Sequence, residues 1–157
     1  MTDHTADTAA TTTSVSGDTV IIRRVFNAPR ELVFTCMVTP EHLTHFWGPV
    51  GVSTPLSGIT IDLRPGGEFT TNMVNDADGT EYPNTGVFVE IVEPELLIWS
   101  EPDVGMTTTS TFTDLGDGRT EVVITQSNVP EMFRSPEALE GFASSLQRFD
   151  DYLSHLA

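Results

Sequence analysis

Cys36, His42 and His45 bring a thiol and two imidazoles close together in the sequence, which are zinc-donor types. Zinc needs three or four protein ligands in one shell, and no further ligand completes a convincing set. The two histidines therefore read as surface residues of a short helix. Asn75, Asp76, Asp78 and Glu81 offer the oxygen ligands of a calcium loop. Gly79 follows Asp78 at once, however, and no glutamate stands at the closing position, so a hairpin turn is expected. For nucleophilic catalysis there is no Gly-x-Ser-x-Gly elbow, and Cys36 falls on an apolar helix face where a thiol is normally inert. Acid–base chemistry has two candidates, Arg24 and Glu90, on strands with apolar neighbours. A carboxylate forced inward there would have a raised pKa suited to proton transfer. Outward, solvated placement is the expectation for both. No catalytic residue is assigned, and neither a metal nor a cofactor is expected.

The elements that position these residues follow from the hydrophobic pattern. Residues 1–17 are rich in Thr, Ala, Ser and Asp and carry a single valine, so they bury too little apolar area to repay their ordering. They are expected to be a disordered tail, with His4 simply solvated, and residues 18–157 to be one domain. Val20–Phe26 reads as a strand. Asn27-Ala28-Pro29 starts a short helix from Arg30 to about Val38, with Leu32, Val33, Cys36 and Met37 on one face. Thr39-Pro40-Glu41 starts a second, which stops at Phe46-Trp47-Gly48-Pro49. From residue 57 the period becomes two: Ile59, Ile61 and Leu63, then Phe69, Thr71 and Met73, then Gly86–Val92 and Leu96–Ser100. Thr107–Thr113 and Thr120–Gln126 form a hairpin about Leu115-Gly116-Asp117-Gly118. Turns this short make the sheet antiparallel. Leu139, Phe142, Leu146, Phe149, Leu153 and Leu156 recur at helical spacing behind Ser135-Pro136, giving one long terminal helix. A meandering sheet and one amphipathic helix bury each other's apolar faces, an α+β layer packing.

Composition narrows the function. The chain has 157 residues, with 23 acidic against 7 basic side chains and a formal charge of −16. Such a field repels phosphate backbones and anionic membrane surfaces, so neither a nucleic acid nor a membrane is an expected partner. The acidity serves solubility or reflects a compositional habit, with a cationic ligand or partner as the alternative. One cysteine cannot form an internal disulfide. Together with the lack of a signal-like N-terminus or a membrane-length apolar run, this leads to an expectation of a cytoplasmic protein.

The stretch Arg24-Val25-Phe26-Asn27-Ala28-Pro29-Arg30-Glu31-Leu32-Val33-Phe34 resembles the opening of the SRPBCC (START-like, helix-grip) superfamily. More narrowly, it is similar to the branch named after the C-terminal domain of the activator of heat-shock-protein-90 ATPase. Thr39–Leu43, Trp47-Gly48-Pro49, Asp62–Gly67, Asp78–Pro83, Glu90–Glu95 and Gly141–Leu146 continue the likeness in order, from about residue 19 to the C-terminus. Phe46, His45, Phe142 and Gln147 depart from residues frequent in that branch (tryptophan, arginine, tryptophan and aspartate), which bears on ligand identity rather than on fold. The resemblance implies a helix-grip fold, in which a curved antiparallel sheet wraps a long C-terminal helix, with two short helices after the first strand.

It also implies a cavity between sheet and helix. Alternation puts Phe69 with Met73, Leu97 with Trp99, Ser110 with Phe112, and Val122 with Ile124 and Gln126, all facing Phe142, Leu146 and Phe149. Phe46 and Trp47 would close the mouth; for any single one of these side chains core filling is the expectation, and for the set a real cavity. Gly141, unfavourable inside a helix, leaves room for a ligand or for close packing. The leading expectation is a module binding a small, largely apolar molecule, oriented by Ser145, Ser110 or Gln126. The second is a cyclase- or aromatase-like enzyme using a buried polar residue of the same cavity. The third is a chaperone-associated adaptor, and a homodimer is compatible with the sequence.

Overall fold

The computed structural model of the chain describes residues 11–156. Among them, nine strands form one antiparallel sheet in the order β1-β2-β9-β8-β7-β6-β5-β3, with β4 also pairing with β5. The strands are β1 (Thr12–Ser16), β2 (Thr19–Phe26), β3 (Val52–Ser53), β4 (Thr60–Ile61), β5 (Glu68–Asn75), β6 (Glu81–Val92), β7 (Leu96–Glu101), β8 (Met106–Gly116) and β9 (Arg119–Ser127). Two short helices, α1 (Arg30–Val38) and α2 (Pro40–Leu43), follow β2 as expected. The last helix, α3 (Pro136–Leu156), has 21 residues and is about 32 Å long. The curved sheet and this helix make the helix-grip, α+β architecture anticipated from the sequence.

The alternation seen in the sequence decides which face is buried. Leu97, Trp99 and Glu101 on β7, Thr108, Ser110 and Phe112 on β8, and Val122 and Ile124 on β9 are all buried, with their neighbours more exposed. Register aligns them into rungs: Trp99 with Thr108 and Gln126, and Leu97 with Ser110 and Ile124. From α3, Leu146, Phe149 and Leu153 close over this face.

Two expectations about order need correction. The tail expected to be disordered through residue 17 contains β1, whose residues 12–16 pair with β2 in full register. Its side chains are all exposed, so backbone hydrogen bonding to a strand edge, not apolar burial, holds it there. The joining turn has Gly17 at φ +60° in the first of two central positions, where a type II′ hairpin needs it. Residues 1–10, including His4, lie outside the described residues. The first alternating piece, Ile59 to Leu63, is mostly not strand. Residues 56–58 form a 3-10 turn and only Thr60–Ile61 pair with β5, because Asp62 and Arg64 begin a tight turn ending at Gly67.

Arg24 is the larger surprise. It points inward from β2 and is 4% exposed. Its Nη2 donates to Asp150 Oδ2 at 3.0 Å and to Gln147 Oε1 at 2.9 Å on α3, and its Nη1 to Thr11 Oγ1 at 3.0 Å. The guanidinium carbon lies 5.6 Å from the centroid of the Phe26 ring. Outward placement failed because the cation finds its partners on the long helix. Glu90 does face solvent.

Candidate functional site

The space between sheet and α3 divides into two aromatic groups. The first is core. Phe149 packs on Phe26 at 4.9 Å between centroids and stacks on Phe46 at 4.1 Å, and Phe112 meets Phe34 of α1 edge-on at 5.3 Å. Phe46 is therefore buried between the helices, with its carbonyl accepting a hydrogen bond from Ser145 Oγ at 3.2 Å. The Ser145 hydroxyl is thereby committed to holding that segment.

The second group gathers Trp47, Phe69, Phe88 and Trp99. Phe69 stacks on Phe88 at 5.3 Å and lies edge-on to Trp99 at 5.1 Å, while Trp47 is 5.5 Å from Phe69 and 6.4 Å from Trp99. Bare Gly86 lets the Trp99 indole lie across the β6 backbone, since a Cβ there would sit 3.3 Å from Trp99 Cδ1. Trp47 is half-buried, as are Met73, Gln126 and Phe142, whereas Leu146 is buried.

The segment carrying Trp47 is tied down at several points. Thr54 Oγ1 donates to the Trp47 carbonyl at 2.7 Å. Arg148 Nη1, from α3, donates to the carbonyls of Gly48, Pro49 and Val52 at 2.8, 3.1 and 3.1 Å. Pro49 lies against Gly141, where an added Cβ would be 3.4 Å from Pro49 Cβ, so Gly141 serves close packing.

Polar groups interrupt this largely apolar face. Thr71 and Ser110 are 2% and 0% exposed, and their hydroxyl oxygens have no hydrogen-bond partner. Gln126 Nε2 reaches Thr108 Oγ1 at 3.4 Å. Glu101 is 8% exposed, and its Oε2 accepts from Trp99 Nε1 at 3.3 Å. Desolvation pushes the Glu101 carboxyl above its ordinary value, opposed by hydrogen bonds from Asn84 and Trp99. Asn84 pairs across strands with Thr71, so Thr71, Asn84 and Glu101 form a polar patch over β5, β6 and β7.

Glu101, Thr71 and Arg148 were missed in the sequence. Glu101 and Thr71 carried a signal, since extending Leu97-Trp99 by one alternation reaches Glu101, and Thr71 lies between Phe69 and Met73 in the same period.

The raised Glu101 pKa has a definite consequence. The folded state holds this proton more tightly than the unfolded one, so stability falls as pH rises from the ordinary glutamate value of 4.5 through the raised value. Glu101→Gln removes that loss. Urea midpoints should match the wild type at pH about 3, where both states are protonated, and exceed it at neutral pH, with the gap opening in between.

The chemistry-bearing residues noted at the start sit elsewhere. Cys36 is fully buried and desolvation pushes its thiol up to about 11, which leaves it inert. His42, half-buried rather than on the surface, hydrogen-bonds the Tyr152 hydroxyl through Nδ1, and exposed His45 stacks on the Tyr152 ring. Asn75–Thr80 is the expected hairpin turn, with Asn75 Oδ1 accepting from the Ala77 N–H and Asp78 Oδ1 from that of Thr80.

The model of the family described as "Activator of Hsp90 ATPase homolog 1-like protein" matches residues 27–154. The chain belongs to this family. Solved structures similar to it include protein CV1439 of Chromobacterium violaceum, at 25% identity and TM-score 0.78, covering 85% of this chain and 95% of that one. Protein NE0264 of Nitrosomonas europaea is 26% identical with a TM-score of 0.77, covering 90% and 97%. A Rhodobacter sphaeroides protein at 18% identity and TM-score 0.82, covering 93% and 99%, shares the fold. Among curated proteins, none matches the sequence. No helix among the described residues is long and apolar enough to cross a membrane.

Proposed function

We propose that this family member binds a small, largely apolar molecule between the inner face of the sheet and α3. The observation that carries this reading is the pair of buried polar groups without partners, Thr71 Oγ1 and Ser110 Oγ, on a largely apolar face. Each unsatisfied hydroxyl costs about 1–3 kcal/mol, so a core serving stability alone does better with an apolar side chain there. A bound molecule with one or two polar atoms satisfies them, while Trp47, Phe69, Trp99, Phe142 and Leu146 supply contact area.

Native mass spectrometry of freshly purified protein, against its denatured mass, tests this. An added mass of a few hundred daltons, the order a drug-sized site holds, is expected. A clean apo mass, with no quenching of Trp47 and Trp99 fluorescence by a panel of apolar compounds, would overturn the reading.

A second reading is favoured by Glu101. A desolvated carboxyl inside the binding face has the raised pKa that general acid–base catalysis uses, as in cyclase- or aromatase-like proton transfer. Turnover of a bound compound that is lost in Glu101→Gln would support it.

A further inference from the structure

We propose that the ligand is an apolar monoamine bound as its ammonium ion, with Glu101 as the counter-charge. This rests on the inner face being a ligand site and names the chemistry of what it takes. Among the described residues the ion pairs are Arg24–Asp150, Arg64–Asp62 and Arg119–Asp117, so the buried Glu101 carboxylate has no cation beside it. Its hydrogen-bond partner is a neutral donor, the Trp99 indole N–H. A carboxylate buried among aromatic rings and balanced only by neutral donors is under-compensated, and one positive charge is the complement it lacks.

The surroundings fit an ammonium group. Asn84, half-buried on β6 near this carboxyl, carries an amide oxygen that can accept. Thr71, opposite Asn84 across β5 and β6, holds a hydroxyl oxygen with no partner at 2% exposure. A primary ammonium has three N–H donors, and carboxylate, amide oxygen and hydroxyl supply three acceptors. The indole of Trp99 beside Glu101, with Phe69 edge-on to it and Trp47 adjoining, adds aromatic surface that attracts cations. The −16 charge of the whole chain draws a cation in and repels an anion. One buried carboxylate with apolar neighbours specifies a single charge on an otherwise apolar body.

Calorimetric titration of the full chain at neutral pH with naphthylmethylamine, naphthylmethanol and naphthoate tests this, because the three share a ring system and differ in charge. The amine is expected to bind at least about tenfold more tightly than the alcohol, and the naphthoate not at all. In Glu101→Gln, an isosteric change, the amine falls to the affinity of the alcohol. Equal binding of amine and alcohol to the wild type overturns the amine inference and leaves the ligand site standing. So does an amine preference that survives Glu101→Gln, which assigns it to the general field. Binding of none of the three overturns both.

Discussion

Asp150→Ala is expected to lose about 3 kcal/mol of stability, a fall in melting temperature of about 10 °C for a chain of this size. The side chain of Arg24 is 3% exposed and that of Asp150 24%, so the pair is desolvated mainly on the cationic side. Removing the carboxylate leaves a buried guanidinium with only neutral acceptors, Gln147 Oε1 and Thr11 Oγ1. Its Nε already lacks a partner. An uncompensated buried charge costs more than the intact pair contributes, so replacing both members with apolar side chains should be far milder. The double variant Arg24→Met/Asp150→Leu should regain at least half of the loss in urea unfolding. If Asp150→Ala unfolds like the wild type, the pair is not what fastens α3 to β2.

Arg148→Ala should cost about 2–3 kcal/mol and act locally. One guanidinium nitrogen serves three carbonyls, of Gly48, Pro49 and Val52, and has two hydrogens to share among them. Charge-assisted hydrogen bonds contribute about 1.5–3 kcal/mol apiece, but the sharing keeps the sum well below three full bonds. With the clasp gone, residues 48–54 should exchange amide hydrogen much faster, and Trp47 fluorescence should shift red as the ring loosens from Phe69. Arg148→Lys should rescue only part of this, because a compact ammonium on a flexible stem does not reproduce a planar fork. Unchanged exchange in this segment would show that Thr54 and the packing of Pro49 on Gly141 hold it without Arg148.

The architecture was legible because its largest parts are periodic. The helical spacing from Leu139 to Leu153 and the alternation through Leu97-Trp99, Ser110-Phe112 and Val122-Ile124 each report a single inward face, while Leu156 at the helix end is exposed. What stayed hidden depends on contacts far along the chain. Arg24 was read outward by the rule that charges face water, and its partner Asp150 lies 126 positions away. Arg148 has no local mark either, since its three acceptors are backbone carbonyls nearly 100 positions back. The aromatic set was legible, but the division of labour within it was not. Phe46 and Phe112 pack into the core, and Trp47 belongs with Phe69 and Trp99 beside Glu101. Strand β1 was unreadable from composition because it relies on borrowed backbone hydrogen bonds.

That strand also governs how the protein behaves in a crowd of its own copies. The sheet has to end somewhere, and its border is a template for any passing chain. Among the described residues the border beside β2 is Thr12–Ser16, five residues of threonine, serine and one valine, a short and weakly sticky seam. Behind it lies β2, with Val20-Ile21-Ile22 and Val25-Phe26, a far more attractive surface for strand addition. Trimming the chain at residue 18 takes Thr11 away from Arg24 and moves this border to β2. The expected loss falls on colloidal solubility at high concentration, and β1 acts as a guard rail against aggregation.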